Sequence, residues 1–218
     1  MSIKPVITFN NVIKKYDQHE VLSSISFQVL QYDVIGILGP SGMGKTTILR
    51  LIAGLEKETT GEITTHSKKM AYVFQEPRLL PWRTVLENVE LPLKASGVKK
   101  QDRVEKAKHY LDAMELSEFT DYYPSQLSGG MKQRVSLARA FAVEPDILLL
   151  DEPFSALDNR LRNKLLLALG ERLEQQPMTV LYISHAPKEL EKIANRFFLI
   201  SAKDAFTEIS KDECKRLN

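Results

Sequence analysis

Cysteine is almost missing from this 218-residue chain, which holds one, Cys214. A lone thiol cannot close an internal disulfide, so a reducing compartment fits. Near the end of the chain it is read as a bystander rather than a reactive group. Long apolar runs are missing too. The longest, such as ILLL at 147–150, fall far below the ~18–20 residues that cross a bilayer. The opening MSIKPVITFN lacks the apolar stretch of a secretory leader. Any work at a membrane is therefore expected from its cytoplasmic face, peripherally and through partners. Charge of one sign is not in excess: the formal net charge is +2, with no long basic run, which argues against a nucleic-acid partner. There is no internal repeat or low-complexity segment. What remains is ordinary for a globular protein, 43% hydrophobic and 27% charged, and long enough for one large domain or two lobes around a shared core.

The patterns along the chain alternate in kind. PVITF and ISFQV read as early strands, with YDQHE between them as a turn. VIGIL, Val34 to Leu38, is a continuous apolar run of the sort buried on both faces of a parallel sheet. A glycine-rich loop follows, then the helix TTILRLIAGL, closed by Gly54. GEITT and MAYVF read as strands. From about Glu76 to Gln126 helix formers dominate; TVLENVELPL and RVEKAKHYLDAMEL are amphipathic, the latter with Val104, Ala107, Leu111 and Met114 at helical spacing. Beyond this helical insertion the pattern is a helix from about Gly130, strand ILLLD, a helix from about Asn159, strand TVLYIS, a helix from about Pro187 and strand FFLIS. Such alternation predicts an α/β core with a mostly parallel sheet. The polar tail after Ala202 shows no readable pattern.

Two motifs carry chemistry. GPSGMGKT spans Gly39, Pro40, Ser41, Gly42, Met43, Gly44, Lys45 and Thr46, with Thr47 next. It fits G-x-x-x-x-G-K-[ST] between a buried strand and a helix. Its glycines permit positive φ and close backbone approach. Successive N–H groups can cradle a β-phosphate at the positive end of the helix. Lys45 adds a cation for the β- and γ-phosphates, and the Thr46 hydroxyl can ligate Mg²⁺. The second motif is ILLLDEP, a buried strand that ends in two acids. Its carboxyl end should lie beside the phosphate loop. There Asp151 can hold the metal through water, and Glu152 can orient and deprotonate an attacking water.

Between them lies LSGGMKQR, Leu127 to Arg134. Alone, Ser-Gly-Gly is a helix start with a flexible cap. With the other two motifs it resembles the signature of the ATP-binding-cassette superfamily, and the similarity runs in that family's motif order from about Asn10 to about Ser201. The resemblance implies one ATPase domain over residues 1–218, of α/β class. It would comprise a P-loop NTPase core with a mostly parallel sheet, an N-terminal antiparallel β subdomain (both within 1–75 and 130–202), a helical subdomain inserted at 76–129, and a tail at 203–218. It implies ATP and Mg²⁺ as cofactors and a second copy of the chain, paired head to tail. Ser128, Gly129 and Gly130 would then face the γ-phosphate of ATP held on the partner copy. The same resemblance casts Tyr16 as the aromatic residue that stacks on adenine, Gln75 as a contact for Mg²⁺ or the attacking water, Asp158 as the interface loop that couples two sites, and His185 as a γ-phosphate hydrogen-bond partner. Two positions depart from the family pattern: Met131 replaces the usual glutamine of the signature, and Ala186 the usual acid after the histidine.

The helical insertion offers Leu79, Leu80, Pro81 and Trp82 as docking candidates. The lack of a membrane span implies separate integral membrane permease subunits and, indirectly, an external solute-binding protein. The stretch also resembles the importer branch for nitrate, sulfonates, taurine and pyrimidine-like precursors. The alternatives are an ATPase of lipoprotein release or regulation, and a soluble DNA-repair-type ATPase. The last sits poorly with only 81 positions from Thr46 to Leu127 and no heptad run.

Overall fold

The computed structural model describes residues 5–67, 69–202 and 205–217. The chain opens with β1 (Pro5–Tyr16) and β2 (His19–Leu30), paired antiparallel. The reversal needs only Asp17 and Gln18, Asp17 taking a φ of 50°. YDQHE is therefore not all turn, since the ladder continues to the pair Tyr16–His19. Next come β3 (Val34–Leu38) and α1 (Lys45–Ile52), after which Gly54 turns the chain at φ 66°. β4 (Thr60–Thr65) returns to the free edge of β1, giving a three-stranded sheet in the order β2-β1-β4.

The chain continues through β5 (Met70–Val73), α2 (Val85–Ala95), α3 (Lys100–Ala113), α4 (Gly129–Ala142), β6 (Ile147–Asp151), α5 (Asn159–Gln175), β7 (Thr179–Ile183), α6 (Pro187–Ile193), β8 (Arg196–Ala202), β9 (Ala205–Ile209) and α7 (Lys211–Arg216). Six strands form the second sheet in the order β5-β6-β7-β3-β8-β9. All its pairings are parallel except that of β8 with β9. Every residue of β3, β6 and β7 is buried, as a strand covered on both faces requires.

Alternation assigns their side chains to two cores. Ile35, Ile37, Leu149, Leu181 and Ile183 join Ile48, Leu49 and Ile52 of α1 and the inner face of β1 and β2. Leu148, Leu150, Val180 and Tyr182 point to the other face, toward α4, α5 and α6. Each fully buried aliphatic side chain contributes roughly 1.5–3 kcal/mol, so this double-sided sheet is the stable floor of the molecule. Gly36 lets α6 close onto it: an added Cβ would stand 3.0 Å from Leu190.

The helical insertion packs on itself and on α4. Val85, Val89 and Leu93 of α2, Ala107 and Leu111 of α3, and Val135 and Ala138 of α4 share one apolar cluster with the sheet. Within the tail, β9 and α7 are formed by residues 205–209 and 211–216. Phe206 and Ile209 pack onto the two cores, and Ser210 caps α7 with Glu213 in a reciprocal box. Its pattern is too short to read because, among the described residues of the tail, only Phe206, Ile209 and Cys214 turn inward. Cys214 is a core residue with no exposed surface, and burial pushes its thiol pKa up, which keeps it inert. Among the described residues no helix is long and apolar enough to cross a membrane.

Gly61 sits where β1 breaks register between Asn10 and Ile13, at φ 89°, and a Cβ there would lie 2.4 Å from the Asn11 carbonyl oxygen. Gly61→Ala is expected to destabilise the protein by about 1–3 kcal/mol, seen as a lower urea midpoint at unchanged slope.

Candidate active site

Four neighbouring parallel strands, β5, β6, β7 and β3, end at the same edge of the sheet. Their carboxyl ends deliver Gln75, the pair Asp151 and Glu152, His185, and the loop from Gly39. A cleft of about 540 Å³ opens there, lined by Val21, Ser41, Gly42, Gly44, Lys45, Thr46, Thr47, Gln75, Glu152 and His185. The loop's conformation depends on its glycines. Gly39, Gly42 and Gly44 have φ of 141°, 79° and 88°. At Gly39 a Cβ would fall 2.4 Å from the Ile200 carbonyl oxygen, whereas at Gly42 it would meet nothing within 4 Å. One glycine thus seats the loop on the sheet and another leaves its crest open. No side chain caps the N-terminus of α1, so its first N–H groups face the cleft for a ligand. Met43 packs on the core below, while Pro40 is exposed.

Lys45 is 5% exposed, and its ammonium donates to the carbonyls of Gly39 (2.6 Å) and Pro40 (2.7 Å). Burial lowers its pKa, opposed by the nearby charges of Glu152 and Asp151. Asp151 is also buried, and desolvation raises its pKa against the hydrogen bonds that hold it. Each of its oxygens accepts one hydroxyl: Thr46 Oγ1 at 3.0 Å and the Tyr72 phenol at 3.1 Å. Burial, followed by the charge of Asp151, keeps that phenol protonated and donating. Hard oxygens from Thr46 and Asp151, close to a phosphate cradle, suit Mg²⁺, which favours few protein ligands beside substrate oxygens.

Glu152 takes an unusual backbone, φ 48°, while its N–H donates to the Ile183 carbonyl at 3.0 Å. A non-glycine residue in this region costs of order 1–3 kcal/mol, and here the turn aims the carboxylate into the cleft. Oε1 lies 2.7 Å from His185 Nε2, and Oε2 accepts from Gln75 Nε2 at 3.2 Å. The acid therefore bridges two loops from two strands.

Other expected site residues do not line this cleft. Tyr16 stands at the end of β1, 39% exposed, with its hydroxyl bonded to Glu56 and the Lys14 ammonium 4.6 Å from its ring centre. Ser128 and Gly129 are exposed at the start of α4 and do not line the cleft. Ser128 Oγ accepts from the Met131 N–H at 3.2 Å. A Cβ on Gly130 would meet Leu157 at 3.3 Å, so the signature adjoins the loop that leads to Asp158. Asp158 caps α5 by accepting from the Leu161 N–H at 3.0 Å, which holds its carboxyl below the usual range.

Sequence reasoning overlooked several polar residues. Tyr72 holds Asp151. Gln133 of α4, 1% exposed, donates to the Phe74 carbonyl at 3.3 Å. Arg139, on the same helix, donates to the carbonyls of Pro77 (2.8 Å) and Arg78 (3.0 Å). Asn88 is fully buried and bonds the backbone of Leu80, Arg83 and Thr84. A signal was present for α4: Gln133 and Ser136 fall on its apolar face, where a polar group needs a partner.

A phosphate cradle, a buried lysine and a carboxylate pair at the carboxyl edge of a parallel sheet define a nucleoside-triphosphate hydrolase. Comparison with known proteins narrows the class. A family model described as ABC transporter matches residues 22–155. The chain is 39% identical over 205 residues to an uncharacterized ABC transporter ATP-binding protein of Methanocaldococcus jannaschii, covering 90% of this chain and 77% of that one. It is 40% identical over 210 residues to the aliphatic sulfonates import ATP-binding protein SsuB of Bacillus cereus, covering 90% and 82%. Its fold matches a solved dimeric ATP-binding cassette in a post-hydrolysis state, bound to ADP and Pi, with a TM-score of 0.86, 31% identity, and coverage of 94% and 98%. This chain belongs to the ABC transporter family and is an ATP-hydrolysing cassette.

Lys45→Ala removes the one lysine or arginine that lines the phosphate cleft among the described residues. Nucleotide affinity, followed by fluorescent-ATP titration, is expected to fall at least about tenfold, ~1.4 kcal/mol.

Proposed function

We propose that this chain is the motor of a membrane importer for a small solute, working as a head-to-tail pair of copies with integral membrane permease subunits. The observation that carries the pairing is the layout of the two motifs. The cleft holds the phosphate loop, Glu152 and His185, while Ser128 and Gly129 stand exposed elsewhere at a helix start. A hydroxyl and free helical N–H groups in that position suit an anion held by another copy. The similar cassette bound to ADP and Pi is itself dimeric.

On this reading Lys45 and the N–H groups of the loop bind the β- and γ-phosphates of ATP. Tyr16 offers a ring to the adenine. Thr46, Asp151 and Gln75 would hold Mg²⁺, which when bound neutralises phosphate charge. Glu152 takes a proton from the attacking water, an assistance of about 10²–10⁴ in rate. Gln75 and His185 hold that carboxylate from either side, and on this reading His185 passes from Glu152 to a γ-phosphate oxygen. Each γ-phosphate is gripped by both copies, so ATP closes the pair and its loss reopens it; that differential contact is what a ligand-driven switch requires.

Delivery of the work belongs to the loop after Gln75. Of its four docking candidates, Leu79 packs on the core cluster, whereas Pro81 is exposed and Trp82 is 69% exposed. Asn88 pins the backbone beneath them, so the indole is presented on a fixed base for a permease. Likeness to a protein of aliphatic-sulfonate import supports a small oxyanion-bearing solute, brought by an external binding protein.

Glu152→Gln keeps the shape but cannot take the proton. It is expected to bind ATP, hydrolyse it at least about 100-fold more slowly, and elute as an ATP-dependent dimer; hydrolysis at the wild-type rate would remove Glu152 from the base role. Trp82→Ala is expected to keep ATP hydrolysis by the isolated chain within about twofold while recovery of the co-expressed permease drops several-fold, as for loss of an interface anchor.

A further inference from the structure

Glu189 and Arg162 take no part in the chemistry above, yet they join two of its loops. Arg162, on α5, donates through Nη2 to the Leu157 carbonyl at 2.9 Å, next to Asp158, and its Nη1 lies 3.3 Å from Glu189 Oε1. Glu189, in the first turn of α6, uses its other oxygen to accept from Ser184 Oγ at 2.8 Å and from the Tyr182 phenol. Ser184 Oγ in turn accepts the N–H of Ala186 at 3.0 Å. His185 is thus flanked by Ser184, bonded to that carboxylate, and by Ala186, bonded to Ser184. Tyr182 and Ser184 are 1% and 5% exposed, so neither hydroxyl has water as a ready substitute, and an unsatisfied one is costly. Ala186 has no side-chain polar group with which to help.

We propose that Glu189 and Arg162 are a positioning pair, which fixes the His185 loop against Glu152 and links it to the loop of Asp158. The pair rests on the proposed roles of His185 and Asp158. A carboxylate filled from both sides by a guanidinium and two hydroxyls has one stable arrangement. Movement of the Leu157–Asp158 segment by a second copy is therefore passed through the guanidinium to the histidine.

The test is a double-mutant cycle on ATP hydrolysis with Glu189→Gln, His185→Ala and the two combined, each with its thermal midpoint. Glu189→Gln is expected to lower kcat about tenfold with KM for ATP within about twofold, and to change kcat less than twofold once His185 is alanine, because coupled residues are not additive. Equal fold-losses in both backgrounds, with His185→Ala itself damaging, would overturn the positioning role alone. An undamaged His185→Ala enzyme would overturn the histidine's role and this proposal with it. Should Glu189→Gln fail to fold, Arg162→Gln, which leaves Glu189 on both hydroxyls, is read in the same cycle, with the same coupling expected and the same additivity fatal.

Discussion

The parallel registration of β5, β6, β7 and β3 is the constraint on which the rest depends. Val73 pairs with Leu150, Asp151 with Ile183, and Ile183 with Ile37. Four strand ends therefore arrive together, each followed by a loop that has left the sheet and need not satisfy its pattern. A slip of one residue in β6 would turn Asp151 away from Thr46 and swap the two cores, since side chains alternate between the faces. Burial on both sides penalises that slip heavily, and so the apolar strands, which have no chemistry of their own, set the positions of the groups that do.

Within the site, charge is balanced by arrangement rather than by exposure. Lys45 and Glu152 line a half-enclosed cleft with Asp151 buried beside it, where isolated charges would be expensive. Burial acts on Lys45 and Asp151 in the directions that favour neutrality; the charges of Glu152 and Asp151 oppose it at Lys45, and hydroxyls from Thr46 and Tyr72, with the charge of Arg50, oppose it at Asp151. The ammonium meanwhile rests on two carbonyls of its own loop. These are contacts to neutral groups, which a phosphate, carrying formal charge, can outbid. The backbone strain at Glu152 belongs to the same economy: the sheet supplies the hydrogen bond from its N–H to Ile183 and so keeps the acid where a relaxed turn would not.

The sequence was legible wherever a single pattern decided a structure. VIGIL and ILLLD appear as the strands they spell, and the glycine loop sits between strand and helix as its spacing demands. Tail elements β9 and α7 were not legible, because five- and six-residue segments with one or two inward side chains give no period to detect. The turn between β1 and β2 is narrower than YDQHE suggests, since polar residues such as His19 and Glu20 mark loops only statistically and can extend an exposed ladder. In the cleft, the lining residues come mostly from readable motifs, whereas the groups that hold them do not. Tyr72, Gln133 and Arg139 act through hydrogen bonds to groups distant in the chain, so no local spacing announces them.

Those supports also explain how one ATP site can be felt elsewhere. Ser128 caps helix α4, whose 14 residues span about 21 Å at 1.5 Å each. Partway along, Gln133 grips Phe74; further on, Arg139, much of its hydration removed, grips Pro77 and Arg78. A rigid rod tied in this way cannot shift at Ser128 without pulling the segment that starts at Gln75 and ends at Trp82. Releasing the guanidinium from its two carbonyls would leave a desolvated charge without partners, a loss larger than the few tenths of a kcal/mol of a surface contact. Helix and loop therefore move as one body. On the proposed reading, a second copy that draws on Ser128 moves both Gln75, at the water, and Trp82, at the permease, through the same set of bonds.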